Sequence, residues 1–275
     1  MAVTMLGYIE QNSVIHRLSG FTKLVVFLIW SSIAMLSYDT RILIALFVVS
    51  IFIFKLSKIR FAEIKFVVLF IMGFLALNTL AIYLFAPEEG VRIYGTRHLL
   101  FELNGRYTVT LEQLFYQLNI ILKYIVVTPA ALLFIVTTHP SEFAASLNRV
   151  GVHYKIAFAV SLALRYIPDI QRDFHMISKV QQARGVNISP AEKLGKRLKH
   201  ASSIIIPLIF SSLERIDVVS NAMELRSFGK HKSRTWYSAK PLMQLDWTVL
   251  IVSLLLFALA MIITFYDGSR FYNPF

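Results

Sequence analysis

Residues Phe66–Ala86 read FVVLFIMGFLALNTLAIYLFA, an unbroken run with no charged position. A helix crossing a bilayer needs about 20 such residues. A second run, Trp247–Tyr266 (WTVLIVSLLLFALAMIITFY), is equally clear. Three weaker candidates join them. Phe21–Leu36 and Ile42–Phe54 are short runs joined by the turn SYDTR at Ser37–Arg41, which makes them a helical hairpin. Ile120–Thr138 contains Pro129. Five spans are therefore predicted, and the fold class is an all-α polytopic membrane protein.

The whole composition agrees. Over 275 residues, 56 % are apolar and 16 % charged, with 22 Phe, 12 Tyr and 3 Trp. A typical soluble domain has roughly 45–50 % apolar and about 25 % charged residues. Too little polar surface remains to cover a soluble globule. The N-terminal apolar run lacks a small-residue cleavage site, so it reads as a span and not as a signal peptide. There is no cysteine, which removes disulfides, thiolate nucleophiles and Cys-based metal sites.

Charge sets the expected orientation. Lys and Arg number 28 against 16 Asp and Glu, a net +12. The loop Lys55–Lys65 carries Lys55, Lys58, Arg60 and Lys65 against Glu63. The loop Pro87–Glu112 is near neutral, with Arg92, Arg97 and Arg106 against Glu88, Glu89, Glu102 and Glu112. The positive-inside rule places the first loop in the cytoplasm. The expected topology has the N-terminus inside and the C-terminus outside. The chain then divides into residues 1–138 (four spans), 139–246 (a cytoplasmic region) and 247–275 (the last span and a short outer tail). In the outer loop, Asn104-Gly105 stands between two β-favouring runs, Phe101–Thr110, and predicts a hairpin cap.

The region 139–246 holds two apolar stretches too short to span, Ile156–Leu164 and Ala201–Leu213. They suit helices at the interface or packed beneath the spans. Pro140, Pro168, Pro190, Pro207 and Pro241 are expected to divide the region into helical pieces. Two stretches repeat. ISKVQQARG (Ile177–Gly185) and VSNAMELRS (Val219–Ser227) align Ser178 with Ser220 and Arg184 with Arg226, each pair 42 positions apart. Gly185-Val-Asn and Ser227-Phe-Gly both look like helix C-termini. Each arginine should thus project from a helix end. An arginine there favours the helix dipole and can snorkel to headgroups. Two equivalent arginines at two equivalent ends point instead to two equivalent acidic sockets, on a partner with near two-fold symmetry.

Other chemistry is sparse. Seven histidines (His16, His98, His139, His153, His175, His200 and His231) show no metal-ligand spacing. No Walker-type glycine loop or GxSxG serine is present. Lys123 reads as snorkelling outward from a span that starts near Ile120. Asn78 and Asn119 are candidates for bonds between helices. KLGKRLKH at Lys193–His200 suits anionic lipid or a partner-facing helix. No aromatic residues interleave with its charge, which argues against nucleic acid.

In HRLSGFTKL (His16–Leu24), THPSEFAASLNRVGV (Thr138–Val152), LALRYIP (Leu162–Pro168), QQARG (Gln181–Gly185) and AMELRSFG (Ala222–Gly229), the sequence resembles the T-component (EcfT, CbiQ-like) family of energy-coupling factor transporters. The family's most specific mark is a pair of Ala-Arg-Gly motifs. They correspond here to Ala183-Arg184-Gly185 and Leu225-Arg226-Ser227; the second departs at both flanks. Gly20 also stands where the family often has Asp-Pro. The resemblance implies a non-catalytic membrane subunit of a prokaryotic cell-membrane importer. Its partners would be two ATP-binding-cassette ATPases (identical or different), a small membrane S-component and surrounding lipid, with no nucleic acid. The chain would bind no cofactor itself; ATP and magnesium would be used by the ATPases. It would transmit their motion to the S-component for uptake of a vitamin, another micronutrient or a metal ion. A stand-alone secondary carrier is the alternative reading. An integral-membrane enzyme is a third, and the sequence offers it no clustered acid, base or metal ligands.

Overall fold

A computed structural model describes residues 8, 11, 13–104, 107–186, 194–231, 234–266 and 268–275. Among them are ten α-helices and one two-stranded antiparallel hairpin. Two compact units are formed, Met1–Phe143 with Ala239–Phe275, and Ala144–Ser238.

The first unit contains α1 (Val14–Arg17), α2 (Gly20–Leu36), α3 (Thr40–Leu56), α4 (Phe61–Phe85), α5 (Glu89–Tyr94), β1 (Leu99–Asn104), β2 (Tyr107–Thr110), α6 (Leu111–Thr137) and α10 (Gln244–Thr264). Three of its longer helices, α2, α3 and α6, start at side-chain caps. Ser19 accepts from Thr22 N–H, Asp39 from Arg41 N–H and Thr110 from Gln113 N–H. Each bond satisfies one of the N–H groups that a helix start leaves without a partner. The SYDTR turn separates α2 from α3 as the sequence predicts. Trp30, Ile33, Ala34, Ile42, Leu43, Leu46, Val126 and Ala260 form the core where α2, α3, α6 and α10 meet.

Among the described residues, three helices are long and apolar enough to cross a membrane: Ile64–Phe85 within α4, Leu111–Thr137 and Gln244–Thr264. α2 and α3 have 17 residues each. α4 leaves Leu69, Phe70 and Leu77 between 65 % and 70 % exposed. Such a surface is stable against hydrocarbon and not against water.

Two expectations for this unit need correction. α6 begins at Leu111, not near Ile120. Lys123 therefore does not snorkel outward. It is 6 % exposed, donates to Met35 O at 3.0 Å, and sits 3.0 Å from the Tyr38 ring centroid. The polar residues before it are held by the segment between α4 and α6, so the helix can include them. Gln113 accepts from Gly90 N–H at 2.8 Å and donates to Ala86 O at 3.1 Å, and Glu112 pairs with His98 at 2.6 Å. Asn119 accepts from Thr40 Oγ1 at 2.7 Å, an inter-helix bond of the predicted kind, whereas Asn78 Oδ1 has no hydrogen-bond partner among the described residues. The hairpin is formed, with Phe101 opposite Val109 and Glu102 opposite Thr108. Gly105 of the predicted turn lies outside the described residues.

The second unit is built on α8 (Tyr154–Ala183) and α9 (Leu194–Leu225); α7 (Pro140–Arg149) precedes them. Here too the sequence reading needs correction. Pro168 and Pro207 do not divide the region, because α8 and α9 run through them. A proline inside a helix frees the carbonyl four residues earlier. For Pro207 that carbonyl is Ser203 O, and it accepts from Gln181 Nε2 of α8 at 3.1 Å. Pro140 opens α7, where a missing N–H costs nothing. Pro190 is outside the described residues.

Candidate functional site

Both long helices of the second unit end in the same way. At the end of α8, Gly185 N–H donates to Gln182 O and Val186 N–H to Gln181 O, each at 3.0 Å. At the end of α9, Ser227 N–H donates to Glu224 O at 2.8 Å and Phe228 N–H to Met223 O at 2.9 Å. Each is a Schellman closure, in which the last carbonyls are satisfied by a chain that reverses at a left-handed residue. That residue is Gly185 (φ 83) in one case and Ser227 (φ 53) in the other. Arg184 and Arg226 are the residues just before the reversal, the C-cap positions.

The six predicted site residues are thus brought into two groups. Ala183, Arg184 and Gly185 stand at one helix end, and Leu225, Arg226 and Ser227 at the other; all are exposed, Leu225 at 88 %. Neither guanidinium has an ion-pair or hydrogen-bond partner among the described residues. The two groups are far apart. Gln181 meets Ser203 near the start of α9, while the ring of Phe158 near the start of α8 packs at a tilt against Phe228, just past the end of α9, with centroids 4.7 Å apart. The helices therefore run past one another in opposite senses, and the arginines occupy opposite ends of the pair. This is not a site that converges on one small ligand. It is a two-ended fixture, with a permanently charged planar fork at each end suited to a carboxylate.

Between the ends lies a group that the sequence reading did not single out. Arg215 of α9 donates from Nη2 to Asp173 Oδ2 of α8 at 2.6 Å. Its Nη1 is 3.9 Å from Asp169 Oδ2, and Arg172 also pairs with Asp169. A signal was present: Asp173 and Arg215 are separated by 42 positions, the same offset as the repeat. The side chains of Lys196, Arg197 and Lys199 in KLGKRLKH lie outside the described residues. Among the described residues, no three His, Cys, Asp or Glu side chains group as a metal site.

Comparisons with known proteins bear on the family of the chain. The CbiQ family model, described as a cobalt transport protein, matches residues 11–237. The chain is 27 % identical over 269 residues to the energy-coupling factor transporter transmembrane protein EcfT of Lactococcus lactis subsp. cremoris, covering 93 % of this chain and 95 % of that one. The protein of the same name from Streptococcus equi subsp. equi is 29 % identical over 238 residues, covering 84 % and 85 %. That of Bacillus subtilis is 25 % identical over 270 residues, covering 91 % and 94 %. With its apolar spanning helices and a family match over most of its length, this chain belongs to the CbiQ family of transport proteins.

Proposed function

We propose that this chain is the transmembrane component of an energy-coupling factor importer and that it carries motion between subunits. In this reading Arg184 and Arg226 dock into acidic sites on two ATP-binding-cassette ATPases. α8 and α9, in the region 139–246, pass the ATPases' closing and opening to a small membrane S-component. The S-component chooses the cargo, a vitamin, another micronutrient or a metal ion. ATP and magnesium are handled by the ATPases, and this chain is not an enzyme. It sits in a prokaryotic cell membrane with its N-terminus and the α8–α9 pair on the cytoplasmic side.

One observation carries the reading: two helices end in the same closure, each presenting an exposed arginine whose guanidinium has no partner among the described residues. A helix dipole favours such an arginine by only about 0.3–1 kcal/mol. That is too little to account for a duplicated closure, whereas a partner's carboxylate at each end would give both arginines the same task. The test is affinity purification of the tagged chain from its native membrane, with partners identified by mass spectrometry. Recovery of two cassette ATPases and a small hydrophobic protein is expected. A stable preparation that never retains an ATPase, yet transports substrate after ATP depletion, would replace this reading with the secondary carrier.

A further inference from the structure

The offset of 42 that relates Ser178 to Ser220 and Arg184 to Arg226 also relates Asp173 to Arg215. These two residues are in direct contact at 2.6 Å. Where two repeats pack against each other through a two-fold relation, a residue meets its own counterpart only beside the axis. The ion pair therefore marks the local two-fold axis of the α8–α9 pair. The remaining contacts fall on either side of it, Gln181 with Ser203 on one and Phe158 with Phe228 on the other. Arg184 is eleven residues beyond Asp173, and Arg226 is eleven beyond Arg215. At a rise of about 1.5 Å per residue, both arms are about 16 Å long.

The chemistry at the axis suits a joint that turns. Asp169 and Asp173 are four residues apart, on one face of α8 and on consecutive turns. One guanidinium reaches both, at 3.9 and 2.6 Å. A planar fork that bridges two acceptors can rock from one to the other without leaving its charge unpaired. The side chains of Arg215, Asp169 and Asp173 are 35 %, 29 % and 27 % exposed, so water reaches the group and the pair is not frozen by burial.

We infer that Arg215, held by Asp169 and Asp173, is the pivot of the coupling pair. It is a positioning residue that fixes the crossing midway between Arg184 and Arg226, so that displacement of one end is matched at the other. The inference rests on the coupling role proposed above, and the experiment separates the two. The complex with its ATPases and S-component is reconstituted in liposomes, and uptake per ATP hydrolysed is measured. Arg215→Ala is expected to assemble and hydrolyse ATP, with uptake per ATP lowered about ten-fold. Asp169→Asn and Asp173→Asn should each have a milder effect, because one carboxylate remains, and the double variant should match Arg215→Ala. The charge swap Asp173→Arg with Arg215→Asp should recover coupling to within about three-fold of wild type. Wild-type coupling in Arg215→Ala, or no recovery in an assembled swap variant, overturns the pivot. A second readout needs no partner. The chain has no cysteine, so spin labels at Gln182→Cys and Glu224→Cys report the distance between the arms in the chain alone. Arg215→Ala should broaden that distribution; an unchanged distribution overturns the pivot even if no ATPase is ever found.

Discussion

Reversing the charge of the two exposed arginines separates a docking role from a structural one, because the expected magnitudes differ. Within the chain, neither Arg184 nor Arg226 has an ion partner among the described residues, and both are exposed at a helix end. Arg184→Glu therefore loses a favourable dipole contact and gains an unfavourable one. At about 0.3–1 kcal/mol each, the cost to folding is about 1–2 kcal/mol at most. Against a partner carboxylate that buries it on docking, breaking the hydrogen-bonded charge pair typically costs about 2–5 kcal/mol. That is a loss of about 30-fold to several thousand-fold in affinity. The two ends are separated by two arms of eleven residues, beyond the range where substitutions couple directly, so the costs should add. The assay is binding of purified ATPase subunits to the chain in nanodiscs, alongside its thermal unfolding in the same lipid. Each single reversal should weaken ATPase binding at least tens-fold while the unfolding midpoint moves only a few degrees. Wild-type binding and uptake by the double reversal, at normal expression, would refute the reasoning.

Three further outcomes are expected. Ser227 holds a left-handed backbone with a side chain that disfavours it, so Ser227→Gly should stabilise the end of α9 by about 1 kcal/mol. Gly185→Ala, at φ 83 with nothing near its added Cβ, should destabilise α8 by a similar amount, and hydrogen exchange at residues 181–186 and 223–228 reads both. Asp246 is 1 % exposed and accepts from Ser19 N–H and Met243 N–H, each at 2.9 Å, tying α10 to the start of α2. Asp246→Ala leaves the buried Ser19 N–H unpaired, and the Met243 N–H to water, and should cost about 1–3 kcal/mol, seen as earlier thermal aggregation in detergent, while Asp246→Asn keeps one acceptor and should cost less. Lys123→Met retains the apolar stem and removes a charge that is expensive to bury, so stability should be unchanged or higher and uptake retained; lost uptake in an intact complex would make that ammonium functional.

What the sequence reveals of this fold depends on how local the cause is. Phe66–Ala86 and Trp247–Tyr266 declare themselves, because hydrocarbon selects for an apolar run and little else. Leu111–Gln117 does not. Its polar residues look like a loop when read along the chain, yet Gln113 and Glu112 are satisfied by Gly90, Ala86 and His98 from residues that fold back over them. The approach is so close that a Cβ on Gly90 would lie 2.4 Å from Glu112 O. Nothing local announces those partners, so the helix start and the surroundings of Lys123 are misread together. Pro207 errs in the same direction. A proline breaks a helix only when its freed carbonyl finds nothing better, and the side chain that rescues Ser203 O comes from 22 residues upstream.

The arginine motifs were legible for the opposite reason: their cause is local and occurs twice. Their flanks differ, Ala and Gly in one and Leu and Ser in the other, yet the backbone does not. Both ends close with bonds from the two residues after the arginine to carbonyls three and five positions earlier, and both reverse through a positive φ. The departure from Ala-Arg-Gly at Leu225-Arg226-Ser227 is therefore one of sequence and not of geometry. Ser227 adopts the strained conformation that glycine takes freely, which costs about 1–2 kcal/mol. Phe228 gives a reason why the closure persists. Its ring meets Tyr154 edge-on and Phe158 at a tilt, with centroids 5.7 and 4.7 Å away, and Arg234 donates to the Arg226 and Ser227 carbonyls at 3.0 Å. The α9 closure is thus held by tertiary contacts where the α8 closure is held by glycine. That difference predicts an order of loosening: removing Phe228 should free the Arg226 end, while the Arg184 end, which does not rely on it, should keep its closure.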